Sequence, residues 1–225
     1  MAAFKDRTGE RKINNYGHEM TIVRYRGNKD IDVYFLNAGI VEHITYRDFN
    51  KGSVYCPMII QYTEDSSGSY LECINPNTNF SFLCSPEDEE LARSCMWNLG
   101  GGGYAYNKRV GMFHRIVMQT PDELETDHIN GKRIDNRREN LRVCTASENQ
   151  MNKKKPKNNT SGFKGVSWEK RRNKFVANIY DRERHIFIGR HATAEEAGRA
   201  YDKKAIELFG RFAKLNFPKE GEQNS

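Results

Sequence analysis

The densest run of chemically capable side chains is DHINGKRIDNRRENLR at residues 127–142, preceded by HRIVM at 114–118 and followed by Asn149. Asp127 offers a hard anionic oxygen, the ligand type that Mg2+ and Mn2+ prefer. His128 carries the side chain best matched to proton transfer near neutral pH. In a strand two neighbours point to opposite faces, so a local irregularity or turn is needed to bring both to one phosphate. Asn149 can turn an amide oxygen to the same cation, and Asn152, one turn further on, is the alternative ligand. Arg137, Arg138 and Arg142 supply either phosphate contacts or solvated charge.

Turn and cap signals outline the scaffold these residues need. Asn130-Gly131 starts a loop directly after the Asp-His pair, and a short strand is expected at Leu141 to Cys144. Thr145-Ala146-Ser147-Glu148 then forms a capping box that opens a helix with Asn149 in its first turns. The outcome is a ββα unit. Upstream, Ser85-Pro86-Glu87-Asp88 predicts a helix to about Trp97. GGGGYAY at 100–106 reads as a hairpin turn, since it lacks the Lys-Ser/Thr of a P-loop. Apolar and polar residues alternate around Met20 to Tyr25, Ile31 to Phe35 and Ile40 to Tyr46, which predicts a small N-terminal β module over 13–60. Residues 61–82 read as a connector.

The charge is unevenly placed. Residues 1–150 carry 18 Lys/Arg against 21 Asp/Glu, whereas residues 151–190 carry 12 against 3. A cationic segment on a near-neutral chain points to a polyanion, because each neutralised phosphate releases counterions. The run begins with a lysine linker at 153–162 that holds Lys153, Lys154, Lys155 and Lys157. Beyond it, Phe163 to Trp168, Lys174 to Tyr180 and His185 to Gly189 are strand candidates, and a capping box at Thr193 opens a helix ending at Gly210. Alternation turns Phe175, Ala177 and Ile179 toward that helix and Lys174, Val176, Asn178 and Tyr180 outward. Trp168 is expected in the core. The fold class is α+β: a small N-terminal β module, a central ββα-metal unit over 83–152, and a C-terminal three-stranded antiparallel sheet packed on one helix over 163–218.

Residues 83–152 resemble the HNH nuclease domain of phage and intron-encoded homing endonucleases, in the variant whose last His is Asn. Trp97 before the Gly-rich hairpin, Gly103-Tyr104-Ala105 and His114-Arg115 also match. That resemblance implies that His128 is the general base, that Asn140 orients its ring, and that Asp127 and Asn149 hold one Mg2+ or Mn2+ against the scissile phosphate. His114 either joins the catalytic site as a phosphate-contacting or supporting residue or is a packed histidine. TSGFKGVSW at 160–168, TAEEAGRAYDKKAIELFG at 193–210 and KLNFP at 214–218 resemble the ethylene-response-factor (APETALA-type) DNA-binding domain. By that resemblance Lys164, Ser167, Lys170, Arg171, Arg172, Lys174, Asn178, Tyr180, His185 and Phe187 face DNA. Lys164, Ser167 and Glu169 stand where the plant domain has arginines, so backbone-dominated binding with little base readout is expected.

A metal-dependent endonuclease acting on double-stranded DNA is the function these features predict, with a non-catalytic DNA-binding regulator as the alternative. No apolar run long enough for a membrane and no secretory leader are seen, so a phage-encoded protein in the host cytoplasm is expected. No obligate protein partner is evident. The five widely spaced cysteines, without a C-x-x-C, are expected as free thiols.

Overall fold

The alternation in the first sixty residues builds an open antiparallel meander: β1 (Arg11–Ile13), β2 (Glu19–Gly27), β3 (Asp30–Phe35) and β4 (Gly39–Ile44), in that order. Met20, Ile22, Ile31, Val33 and Phe35 line one core, which Phe49 of α1 (Tyr46–Lys51) completes. The strand expected to reach Tyr46 stops at Ile44, because Thr45 caps α1 and its hydroxyl accepts from Asp48 N at 3.1 Å. This is the computed structural model of the chain, and it describes residues 5–66, 68–151, 159–181 and 184–218.

The stretch read as a connector is a second antiparallel sheet, with β5 (Ile59–Asp65), β6 (Gly68–Asn75) and β7 (Phe80–Cys84). Leu71, Cys73, Phe82 and Cys84 are buried in it. The Asn and Pro residues at 75–79 that resemble coil form a tight turn, in which Asn75 Oδ1 accepts from Asn77 N at 3.0 Å. The helix foreseen from Ser85 is shorter than expected. A 3-10 turn at Pro86–Asp88 leads into α2 (Glu89–Arg93), and the fully buried Trp97 folds back so that its Nε1 donates to Leu91 O at 3.3 Å.

Next, β8 (Asn98–Leu99), β9 (Ala105–Asn107) and β10 (Gly111–Met112) form a small sheet around the glycine hairpin, closed by Gly100 N donating to Tyr104 O at 2.8 Å. α3 (Phe113–Val117) follows, and the Phe113 ring packs tilted against Phe82 and edge-on to Trp97 at centroid distances of 4.7 and 4.9 Å. The chain then forms β11 (Glu125–His128), lays β12 (Asp135–Asn136) parallel to β7, and returns as β13 (Leu141–Cys144), antiparallel to β11. α4 (Ala146–Met151) comes directly after β13. By contacts the chain divides into two units, Met1–Val117 with Arg133–Arg138, and Met118–Lys132 with Glu139–Ser225.

The second unit ends in the expected sheet and helix. β14 (Val166–Glu169), β15 (Lys174–Asp181) and β16 (Arg184–His191) pair antiparallel in that order, and α5 (Ala194–Phe209) packs on them. Val166, Ala177, Ile179, Ala197, Tyr201 and Ala205 carry the contact. A β-bulge between Ala177 and Asn178 interrupts simple alternation. Val176 is buried although alternation points it outward, and Trp168 stays 44% exposed against Phe175 instead of entering the core. Thr193 and Glu196 form the capping box of α5.

Candidate active site

The ribbon of β11 and β13 pairs Glu125 with Cys144, Thr126 with Val143, Asp127 with Arg142 and His128 with Leu141. Asp127 and His128 therefore sit on regular strand without the irregularity that was expected between them, and the Asn130-Gly131 turn comes directly after. His128 O accepts from Gly131 N at 2.8 Å, and Ile129 N donates to Asn140 O at 2.9 Å. Asp127 is 5% and His128 4% exposed, with Thr126, Asn130 and Asn140 buried beside them. Burying this many polar groups is costly unless each is engaged, so such a cluster marks a site more than a core.

Asn140 closes the loop. Its Oδ1 accepts from Asn130 N at 2.9 Å while its own carbonyl accepts from Ile129 N, so it fixes the backbone immediately after His128. The capping box expected at Thr145 is formed, with Thr145 N on Glu148 Oε2 at 2.8 Å and Glu148 N on Thr145 Oγ1 at 3.2 Å. Thr145 N, joined by Thr145 Oγ1 donating to the same oxygen at 2.9 Å, holds the Glu148 carboxyl below its usual range. That start directs Asn149 toward β11, where its Nδ2 donates to Glu125 Oε2 at 2.6 Å. Glu125 and Asp127, two residues apart, share a face of the strand. Glu125 is not among the residues expected in the site, although its i, i+2 spacing from Asp127 stands in the sequence.

Asp127 is paired. Arg142 Nε and Nη2 donate to its Oδ2 at 2.8 and 2.6 Å, both side chains being nearly buried. Breaking such a pair by removing one partner costs about 3–5 kcal/mol. Asp127 and Asn149 offer only oxygen donors, a chemistry that fits Mg2+ or Mn2+ better than a thiophilic metal. Cys144, on the paired strand, is no competitor, since burial pushes its thiol up to about 11.

His114 lies buried on α3 in the first unit, its ring 4.8 Å from that of Tyr104. Arg137 donates to both oxygens of Asp135 at 2.8 Å, and Arg138 to Asp88 at 3.1 and 2.6 Å, so a phosphate would have to draw either away from a carboxylate. Asn152, Lys153, Lys154, Lys155 and Lys157 lie outside the described residues. Among those described, Asp30, Asp32 and His43 also cluster, with Arg26 already bridging both carboxylates at 2.7 and 2.6 Å.

On the C-terminal module Ser167, Lys170, Arg171, Arg172, Lys174, Tyr180, His185 and Phe187 are exposed, and Asn178 is half-buried. Tyr180 packs on His185 with ring centroids 4.8 Å apart, and Arg190 lies over Phe187. Arg172 and Arg190 both engage Glu169. Lys164 is half-buried, and desolvation, reinforced by Lys214, lowers it to about 8. It lines a cavity of about 710 Å3 with Asn178, Tyr180, His185 and Tyr201. No helix among the described residues is long and apolar enough to cross a membrane.

Comparison with known proteins bears on this site directly. The profile of the HNH endonuclease family matches residues 112–151, which contain Asp127, His128, Asn140 and Asn149. An uncharacterized HNH endonuclease of Acanthamoeba polyphaga mimivirus is 30% identical over 53% of this chain and 66% of its own length. Protein 3.8 of Escherichia phage T7 is 37% identical over 40% of this chain and 73% of its own. APETALA2-like protein 2 of Oryza sativa subsp. indica is 34% identical over 28% of this chain, but only 14% of that protein is spanned. No solved structure matches the chain. On the motif residues and the phage relative together, the chain belongs to the HNH endonuclease family.

Proposed function

We propose that the protein is a divalent-metal-dependent endonuclease that hydrolyses phosphodiester bonds in double-stranded DNA, with the C-terminal module as its DNA clamp. The observation that carries this reading is the burial of Asp127 and His128 side by side on β11, with Asn140 pinning the loop behind them. His128 takes a proton from the attacking water, and Asn140 holds the backbone that aims the imidazole. Asp127 and Asn149 hold Mg2+ or Mn2+. When bound, the cation supplies charge stabilisation for the phosphorane and the departing 3′ oxygen. Glu125 keeps the Asn149 amide turned so that its nitrogen is engaged and its oxygen serves as ligand.

The exposed aromatic and basic face of the C-terminal sheet supports duplex binding, as does the likeness to the plant protein. A lysine-rich approach to this module favours phosphate contact over base reading. The two viral relatives support a virus-borne enzyme that meets its DNA inside the infected cell.

A non-catalytic DNA-binding regulator is the second reading, favoured by the Arg142 guanidinium on Asp127. Plasmid incubated with the protein and Mg2+ separates the two. The enzyme reading expects nicked or linear product, its loss in EDTA, and a fall of about 1,000-fold in His128→Ala, within the range that loss of a general base costs. DNA binding by His128→Ala stays within two-fold of wild type and weakens steeply with salt. Intact plasmid in every lane, from protein that binds it, supports the regulator.

A further inference from the structure

We infer that Arg142 is a latch on the metal-binding carboxylate, held closed by the turn that follows α5. The inference rests on the reading of Asp127 as a metal ligand. One edge of the guanidinium, Nε and Nη2, converges on a single Asp127 oxygen at 2.8 and 2.6 Å. The remaining nitrogen points the other way and donates to Arg211 O at 2.5 Å. The guanidinium carbon also lies 4.3 Å from the Phe212 ring centroid. Arg211 and Phe212 belong to a 3-10 turn at Gly210–Phe212, entered where Gly210 ends α5 at φ +50. One side chain thus ties the strand that carries Asp127 to the end of the helix that backs the C-terminal sheet.

This tie opposes metal loading. A divalent cation on Asp127 and a guanidinium a few ångströms away repel strongly in a site with little solvent to screen them. The carboxylate therefore has two stable states, one with the arginine and one with the cation. A displaced guanidinium has a ready partner in DNA, because its planar fork matches a phosphate. Duplex seated beside β13 would draw Arg142 off Asp127, so DNA engagement and cation loading favour each other, and reciprocally so. The Arg211–Phe212 turn sets how hard the latch holds. The protein is then a nuclease whose cation site stays shut away from DNA.

Counting free Mn2+ by electron paramagnetic resonance in solutions of the full-length protein, without DNA, tests the latch. Asp127→Asn should lose binding. Arg142→Gln should bind Mn2+ about ten-fold or more tightly than wild type, and Phe212→Leu a few-fold more tightly, since it loosens the far end while leaving Arg142 in place. Thermal melts add a second readout: Arg142→Gln melts below wild type in EDTA and gains more from Mn2+, because the cation restores the countercharge that the buried carboxylate has lost. If Asp127→Asn abolishes binding while Arg142→Gln and Phe212→Leu match or fall below wild type, Arg142 is no latch and instead helps to position Asp127. If Arg142→Gln does not fold, Phe212→Leu decides alone, tighter binding supporting the latch and unchanged binding overturning it. If Asp127→Asn keeps the wild-type affinity, or neither wild type nor the latch variants bind Mn2+, the metal reading itself fails and takes the latch with it.

Discussion

The β11–β13 ribbon and the β14–β16 sheet use the same antiparallel pairing yet put their chemistry in opposite places. The ribbon buries it: Thr126, Asp127, His128, Asn130 and Asn140 are nearly inaccessible, and their bonds fix one geometry. The sheet buries only small and apolar groups, such as Val166, Ala177 and Ile179, and leaves Trp168, Tyr180 and Phe187 exposed. A reacting centre needs preorganised dipoles and excluded water, whereas a surface that follows a duplex needs reach and charge. The two regions should therefore fail differently, the sheet through packing and the ribbon through unsatisfied polar groups.

The largest effect is expected in the sheet, at Gly165. Its φ is +73, and a Cβ there would lie 2.0 Å from Tyr201 Cδ2 and 2.6 Å from Asn178 O. Neither the ring, clamped under α5, nor a backbone carbonyl can yield cheaply. Gly165→Ala should cost about 3 kcal/mol or more, combining overpacking with left-handed strain. Hydrogen exchange should report lost protection in β14, β15 and α5 while β11 and β13 keep theirs. Equal loss in the ribbon would break the comparison, by showing that both regions lean on one core.

A smaller loss of another kind is expected in the ribbon. Asn140→Ala removes the acceptor of the buried Asn130 N–H, which costs about 1–3 kcal/mol. Asn140→Asp keeps that acceptor and should recover most of the stability. Cleavage should fall about ten- to a hundred-fold in the alanine variant, with DNA affinity unchanged, because only the loop behind His128 is loosened. If denaturant melts instead show Asn140→Ala as stable as wild type, the buried network is not what fixes the ribbon.

Much of this contrast was legible in the sequence, because local chemistry wrote it there. Both capping boxes, at Thr145 and Thr193, start helices as their spacing demands, and the Asp-His pair ends a strand just before its Asn-Gly turn. What was illegible is tertiary. β5 to β7 looked like coil because their turn residues outnumber the apolar signal of Leu71, Cys73 and Phe82. Trp168 is expected in the core because an aromatic residue in a strand usually packs, yet it stays 44% exposed with Phe175 against its ring. The Arg142–Asp127 pair depends on strand register, which sets residues fifteen apart directly opposite each other. Glu125 shows the reverse failure: its spacing from Asp127 was readable, but only the fold reveals Asn149 as its partner.

The smallest effect concerns Lys164, which stands between the two behaviours as a basic residue of the DNA-facing module with a half-buried side chain. Burial, reinforced by Lys214, brings it down to about 8 in the folded protein. An unfolded chain holds the same proton until about pH 10.4. Between those values the unfolded state binds more protons, so stability rises with pH there. Below about pH 8 both states are protonated, and the folded state bears the whole cost of a desolvated ammonium. Lys164→Met should therefore be more stable than wild type at pH 7, by about 1 kcal/mol once residual solvent screening is allowed for. The gap should close as denaturant melts are repeated toward pH 10. A gap that stays constant with pH would mean that the ammonium already reaches water, in which case Lys164 belongs with Lys170 and Lys174 as a residue of the open, duplex-facing surface.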